Sequence, residues 1–440
     1  MLLEALLQQD FLSPDERRDL QFKRLKATLK RVYEHVPFYR TRLEERQITP
    51  DALTSLDELS TLPFTTRDDL LDHYPFGLLS VPREELLRIQ ASSGTKGRAK
   101  IIGYTRHDLS LWSEVSARSL LCMGIQPGDL LVNAYNYGLF TGGLGIHSGA
   151  ELLGVTVVPT STGNTRRQVT LLHDLQATAL GCTPSYALVI GETMAAMGIE
   201  ATSLRYGIFG AEPWTEAIRQ QIESRLGLSG FDLYGLSEII GPGVAVECPA
   251  SRDEARRSGT RFLHVFEDHF YPEIISANGD PLPPGQEGEL VLTTLTREGM
   301  PLLRYRTGDI CSLHTAPCAC GRTLMRISQI KGRTDDMLIL RGINVYPTEI
   351  ERVLMSLPEL SPYYYIVIER QQSLDSVTVE VELADPDASP DAHQQLQETI
   401  GTLLLNASGL HFSVQLHRYG TLPRSEGKTT HIIDKRERGK

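Results

Sequence analysis

Four short segments carry residue types able to handle a nucleotide. Ser92-Ser93-Gly94-Thr95-Lys96-Gly97-Arg98 packs three hydroxyls, two glycines and two cations into seven residues. Small residues let backbone N–H groups approach an anion, and hydroxyls and cations add to the field. It is not a Walker A loop, since no G-x-x-x-x-G-K-[ST] occurs. Phe231-Asp232-Leu233-Tyr234-Gly235-Leu236-Ser237-Glu238 sets a tyrosine beside a glycine, where a flat ring can stack. Glu238 then offers a carboxylate to Mg²⁺, a hard ion that takes oxygen ligands alongside phosphates. In Tyr305-Arg306-Thr307-Gly308-Asp309, the aspartate after a Thr-Gly turn can accept hydrogen bonds from ribose hydroxyls. In Pro423-Arg424-Ser425-Glu426-Gly427-Lys428, a lysine on a polar loop can bridge a carboxylate oxygen and a phosphate while charge passes between them. Each segment alone reads more simply as a turn, a strand end or a solvated tail. Their conjunction carries the weight.

The cysteines suggest a metal. There are six: Cys122, Cys182, Cys248, Cys311, Cys318 and Cys320. They are sparse, and a reducing cytoplasm is the expected setting. Cys318-Ala319-Cys320 then reads as a metal half-site in preference to a disulfide. Cys248 and His264 would complete a closed set of three thiolates and one imidazole, with Cys311 able to replace one of them. By spacing alone, a loose reduced pair and a strand histidine are the commoner arrangement.

Elements must position these groups. A chain of 440 residues exceeds one ordinary core. With 41% hydrophobic and 22% charged residues it has the profile of a soluble globular protein. A net charge of −11 argues against binding nucleic acid or an anionic membrane, so phosphate must be met by a local site. The first ten residues are apolar but acidic, which predicts a helix and not a signal peptide. No run approaches ~20 apolar residues, so no transmembrane helix is expected. Residues 1–60 have helical periodicity, and Thr66 is placed to cap the next helix. From 85 to 240, short apolar runs such as 130–133 and 155–158 alternate with helix-length segments at 165–175 and 215–225, predicting an α/β layer with parallel strands. From 260 to 312 alternating strands with Pro/Gly turns predict an antiparallel β subdomain. After Gly332-Arg333-Thr334-Asp335-Asp336 a fresh α+β pattern begins. The expected division is a large α/β domain at 1–334, hinged to a small α+β domain at 335–440.

Taken together and in this order, the four segments resemble the adenylate-forming superfamily of acyl-CoA ligases, adenylation domains and luciferases. The likeness is closer to its phenylacetate–CoA ligase branch, and it runs from Pro37-Phe38-Tyr39 to Asp434-Lys435. Tyr135-Asn136-Tyr137-Gly138-Leu139-Phe140-Thr141-Gly142-Gly143 resembles that branch's aryl-pocket segment, and 209–214, 234–243, 266–270 and 332–347 also read like it. The resemblance implies that an aryl carboxylic acid reacts with ATP to an acyl-adenylate and then with CoA to a thioester. Ser92, Ser93, Gly94, Thr95, Lys96 and Gly97 would close over the ATP phosphates. Gly210, Ala211, Glu212, Pro213, Asp232 and Gly235 would line the adenine site, with Tyr234 stacked on the base. Ser237 would face the α-phosphate and Glu238 would hold Mg²⁺. Asp309 and Arg333 would bind ribose, and Lys428 would stabilise the adenylation transition state. Tyr135, Tyr137, Phe140, Gly142, Gly235 and Pro242 would form the acid pocket. Asp335 would be the hinge. Some members of the branch carry zinc on a Cys…His…Cys-x-Cys set, which here falls on Cys248, His264, Cys318 and Cys320. A homodimer is the family habit. Lys96 stands where the family has threonine, and Arg98-Ala99 where it has Lys-Pro, which could alter phosphate affinity or loop motion. Phenylacetate, benzoate, anthranilate or a larger aryl acid all suit the pocket segment. The nearest rival is a stand-alone adenylating enzyme serving a carrier-protein thiol or an amine. A rival of another class is a non-catalytic nucleotide- or zinc-binding protein.

Overall fold

The alternating text folds as a parallel sheet. Leu130–Asn133 lies between Thr156–Val158 and Ala179–Cys182, and Tyr206–Gly210 and Ser229–Leu236 extend the sheet, all in parallel. Helices Gly142–Leu153, Thr165–Asp174, Pro184–Met197 and Glu216–Leu226 connect them. Local chemistry fixes where these helices begin and end. Thr183 and Thr215 accept from backbone N–H groups at two helix starts. Gly154, Gly198 and Gly227 take left-handed conformations at three helix ends. Thr66 caps Arg67–Asp72 reciprocally with Asp69, as its position predicts. All four residues of Ala179–Cys182 are buried, as a central strand covered by helices on both faces requires. Parallel strands bring their C-terminal ends to one edge, where a ligand site is built.

The computed structural model describes residues 2–92, 99–200, 203–334, 338–340, 343–371, 374–388, 393–425 and 431–436. The antiparallel strands expected at 260–312 are present, and they continue the same sheet. Gly241–Val246 turns back along Ser229–Leu236, and Phe262–Val265 follows. Tyr305–His314 then changes partners along its length. Residues 305–312 pair with Glu287–Thr294, while Leu313 and His314 pair with Arg326–Ser328. With Phe270–Ile275 and Gly332–Arg333, this sheet has twelve strands among the described residues. Beyond it lies a second lobe. Leu360–Gln371 and Leu374–Leu383 form a hairpin flanked in parallel by Ile432–Asp434 and Ser413–His417. Helices Pro347–Leu354 and Gln394–Ser408 belong to this lobe. Its core runs without a break into helices Pro184–Met197 and Glu216–Leu226 of the large lobe, through Leu188, Ile218, Leu354 and Tyr364. Among the described residues no helix is long and apolar enough to cross a membrane.

The N-terminal turn is pinned to the core by charge. Arg118 is fully buried and donates to Asp10 Oδ1 at 2.6 Å and to Asp268 Oδ2 at 2.9 Å. Arg322 donates to the other Asp10 oxygen at 2.9 Å. Burial opposes the charge on Asp268, but His269 and Arg118 outweigh it and hold this carboxyl well below its ordinary range. Removing one partner from such a cluster strands a buried charge, at about 3–5 kcal/mol.

Candidate active site

Three predicted residues meet on the edge of the sheet. Tyr234, near the end of Ser229–Leu236, donates its phenol to Asp309 Oδ2 at 2.5 Å. Arg333 donates to Asp309 Oδ1 at 2.7 Å and to Thr307 O at 3.0 Å. Asp309 and Arg333 face each other across paired strands, so the backbone register sets this contact. Burial, and then Asp309, push the Tyr234 phenol well above its ordinary value, so it remains a donor at neutral pH. The Thr307-Gly308-Asp309 segment corrects one expectation. It is not a turn between elements but an irregularity inside the long strand Tyr305–His314. Gly308 has φ +78°, and the pairing jumps between Glu289 and Val291. A bulge of this kind re-aims a side chain without ending the strand, and here that side chain is Asp309. Gly235 follows Tyr234 because a Cβ there would lie 2.0 Å from Gly241 O.

Glu238 sits just beyond, buried, and forms an ion pair with Lys100. The Tyr305 phenol lies 3.4 Å from its Oε1. The turn that carries it is held by its carbonyls. Arg297 donates to Ile239 O at 2.6 Å and to Gly103 O at 2.9 Å, and Tyr104 donates to Ile240 O at 3.1 Å. Ser237 Oγ is 3.1 Å from Thr141 Oγ1. Lys100 begins the return arm of the hairpin Arg88–Ala91/Ile101–Tyr104, and Ser92 N donates to Lys100 O at 3.0 Å. Ser92 and Lys100 thus bracket the predicted phosphate loop and bring its base to Glu238. Ser93, Gly94, Thr95, Lys96 and Gly97 lie outside the described residues, as do Asp335 and Lys428. Sequence reasoning missed Lys100 and Arg297. The one available signal was a lysine at the junction of a hydroxyl-rich loop and an apolar strand.

The segment after Tyr206–Gly210 turns sharply, with Ala211 at φ +72°. Glu212 Oε1 accepts from Ser185 N at 2.7 Å. Asp232 N donates to Glu247 Oε2 at 3.1 Å, and the Asp232 carboxylate lies 3.4 Å from Arg261. Glu212 and Pro213 line a cleft whose far wall comes from the small lobe: Glu351, Tyr364, Ser425 and His431. The buried Glu351 accepts from the Tyr364 phenol at 2.9 Å. Burial first, and then the nearby Glu212, push its carboxyl up to about 7.

The aryl-type segment lies next to this edge. Tyr135 is buried, its ring within 3.4 Å of where a Cβ on Gly142 would sit, and its hydroxyl donates to Ile208 O at 3.2 Å. Asn133 donates to the Tyr137 hydroxyl at 2.7 Å and to Gly143 O at 2.9 Å. Tyr137 in turn meets His147 Nδ1 at 3.0 Å. Phe140 is 40% exposed and stands at the outside of this group. Pro242 O accepts from Trp112 Nε1 at 2.9 Å.

The four cysteine-cluster side chains meet away from this edge. One ligand atom from each of Cys248, His264, Cys318 and Cys320 lies within 4.8 Å of the others. Cys248 Sγ and Cys318 Sγ are 3.7 Å apart, and Cys320 Sγ is 3.5 Å from His264 Nε2. A tetrahedral zinc with Zn–S about 2.3 Å and Zn–N about 2.0–2.1 Å demands edges of about 3.8 Å and about 3.6 Å. The donor set therefore fits zinc in type and in size. Cys311 is buried elsewhere on Tyr305–His314 and is not in the set.

Comparison with known proteins agrees with this geometry. Residues 23–295 match the AMP-binding enzyme family, and residues 342–436 match the AMP-binding enzyme C-terminal domain. The phenylacetate-coenzyme A ligase of Thermus thermophilus is 48% identical over 97% of this chain and 98% of its own length. That of Pseudomonas putida is 46% identical over 96% and 95%. Among solved structures, 2-hydroxyisobutyryl-CoA ligase in the postadenylation state, in complex with R3-HIB-AMP, superposes with a TM-score of 0.89 at 28% identity, covering 97% of this chain and 91% of that one. In the thioesterification state, with 2-HIB-AMP and CoA, the same ligase gives 0.71 at 29% identity, over 98% and 92%. The two lobes here are thus arranged more like the first state than the second. The chain belongs to the AMP-binding enzymes and, within them, to the phenylacetate-coenzyme A ligases.

Proposed function

We propose that this chain joins an aryl carboxylic acid to CoA in two steps at the sheet edge. A carboxylate oxygen of the acid attacks the α-phosphorus of ATP, and pyrophosphate leaves. The CoA sulfur then attacks the acyl carbon, AMP leaves, and the thiol proton passes to solvent. The observation that carries the reading is the convergence of Tyr234, Asp309 and Arg333 beside Glu238. Each oxygen of a carboxylate can accept more than one hydrogen bond, so Asp309 keeps capacity for ribose hydroxyls while Tyr234 and Arg333 hold it in place. The Tyr234 ring stacks on adenine, which Gly210, Ala211, Glu212, Pro213, Asp232 and Gly235 surround. Glu238 supplies one carboxylate to Mg²⁺, the number such sites commonly give to an ion that is also bound by phosphates. Ser237 faces the α-phosphate. Ser92, Ser93, Gly94, Thr95, Lys96 and Gly97 close over the β- and γ-phosphates.

Lys428 bridges the attacking carboxylate and the phosphate, and the catalysis is mainly positioning and charge stabilisation. Residues 335–440 then turn about Asp335 to give the thiol access. The acid sits against Tyr135, Tyr137, Phe140, Gly142, Gly235 and Pro242. The buried Tyr135 acts as an aromatic wall, because its hydroxyl is already given to Ile208 O. Zinc on Cys248, His264, Cys318 and Cys320 is structural, since four protein ligands leave no open position. A homodimer is part of the same proposal, and the mass in solution decides it.

The test is acid-dependent pyrophosphate release across aryl and aliphatic acids, with and without CoA. One aryl acid giving release, and CoA converting it to a thioester and AMP, supports the reading and names the acid. A single burst that CoA does not prolong points to a carrier-protein thiol or an amine as acceptor. No release with any acid would overturn it.

A further inference from the structure

We propose that Glu192 is a positioning residue for adenylation, seating the small lobe on the large one through Arg424, four positions before Lys428 in the sequence. The inference rests on the role given above to Lys428 and on the turning of the small lobe. Glu192 lies on Pro184–Met197 of the large lobe. Its two oxygens serve different lobes. Oε1 accepts from Arg225 of the large lobe at 3.2 Å, and Oε2 lies 3.6 Å from Arg424 Nε of the small lobe. Tyr363 and Tyr419 face the same carboxylate: after burial, Glu192 is the largest influence raising both phenols.

Arg424 is fixed within its own lobe as well. It donates to both Glu382 oxygens, at 2.7 and 2.9 Å, and its guanidinium lies 3.5 Å from the Tyr363 ring centre. On the other side of Lys428 in the sequence, His431 stacks on Tyr364 with centroids 4.1 Å apart and planes 8° apart. Neighbouring tyrosines of one strand therefore hold Arg424 and His431, described residues on either side of Lys428 in the sequence. These grips travel with the small lobe when it turns. The Arg424–Glu192 contact cannot, because its partners belong to different lobes. It is available in the arrangement seen here and must break when the lobe turns for thioester formation. Removing the Glu192 charge should then slow one half-reaction and spare the other.

The two half-reactions are measured separately for E192Q, E192D and K428A. Adenylation is read by acid-dependent ATP–pyrophosphate exchange, and thioester formation by supplying the aryl-adenylate with CoA. E192Q is expected to lower the adenylation rate by about two- to fivefold, the scale of one lost part-exposed charge contact, with KM for ATP little changed and thioester formation unaltered. E192D, which keeps the charge, should recover part of the loss. Equal loss in both half-reactions, or no loss in adenylation, overturns the proposal. K428A separates this from the parent reading: it should abolish adenylation and spare the second step. If K428A keeps adenylation, the assignment of Lys428 fails and this inference fails with it. If K428A behaves as expected and E192Q does not, only this inference fails.

Discussion

Tyr234 and Arg333 grip opposite oxygens of Asp309, at 2.5 and 2.7 Å, from two different strands of one sheet. The carboxylate is therefore oriented before any ligand arrives. Preorganisation of this kind is what lets binding energy go into reaction instead of ordering. Asp309→Ala should raise KM for ATP by about a hundredfold, the scale of losing a charged hydrogen-bond acceptor in a semi-buried site. Tyr234→Phe keeps the ring and loses only the tether, so about three- to tenfold is expected. ATP-dependence of pyrophosphate release checks both. Equal losses in the two variants would mean that the phenol, and not the carboxylate, contacts the nucleotide.

Lys100 and Glu238 neutralise each other in a buried setting. Lys100→Met should leave a stranded carboxylate and cost about 3–5 kcal/mol of stability. A divalent cation with ATP would supply the missing positive charge. The variant should therefore gain more in Tm from Mg²⁺ and ATP than the parent does, as thermal melts with and without both would show. An equal gain would separate Glu238 from the metal.

The cysteine cluster should bind one zinc per chain, measured by elemental analysis. Cys318→Ser with Cys320→Ser should abolish binding and lower Tm, since binding to a native site is folding free energy. Pyrophosphate exchange per folded molecule at low temperature should change by less than about twofold, as a structural metal implies. Exchange that falls in step with zinc content at unchanged fold would make the metal catalytic.

Glu351 should make the stability of the lobe contact pH-dependent. Its carboxyl is raised from the ordinary range to about 7 by burial and then by Glu212, with the Tyr364 hydrogen bond, Arg261 and the Thr215 backbone opposing. The folded state then binds a proton that the unfolded state releases earlier. Its stabilising contribution is complete below about 4.5 and is lost as pH rises to about 7. Glu351→Gln should flatten Tm against pH across that window and melt higher than the parent at pH 8. A curve unchanged in shape would assign the titration elsewhere.

Local signals explain what the sequence revealed. Thr66 announces a helix by side-chain chemistry within three residues, and the apolar runs at 130–133 and 155–158 announce strands by lacking charged residues. The Thr307–Asp309 segment was legible as a place where the backbone departs from regularity. A bulge and a turn use the same glycine, so only the partner strand tells them apart. Lys100, Arg297 and Glu192 were not legible. Each acts on residues far along the chain, Arg297 on Ile239 and Glu192 on Arg424, and no local pattern records such a meeting. Cys248, His264, Cys318 and Cys320 were visible by type, but the sheet register that places Arg326 opposite His264 is what draws them together.

The buried bond between Asp10 and Arg322 also has a consequence during synthesis. The two residues stand 312 positions apart, so Asp10 leaves the ribosome long before its second partner exists. At about 5–20 residues per second the wait is about 15–60 s. Arg118, 108 positions after Asp10, is the earlier of the two partners to be made. The first helices of this chain can therefore dock early but can lock only once Arg322 has been made.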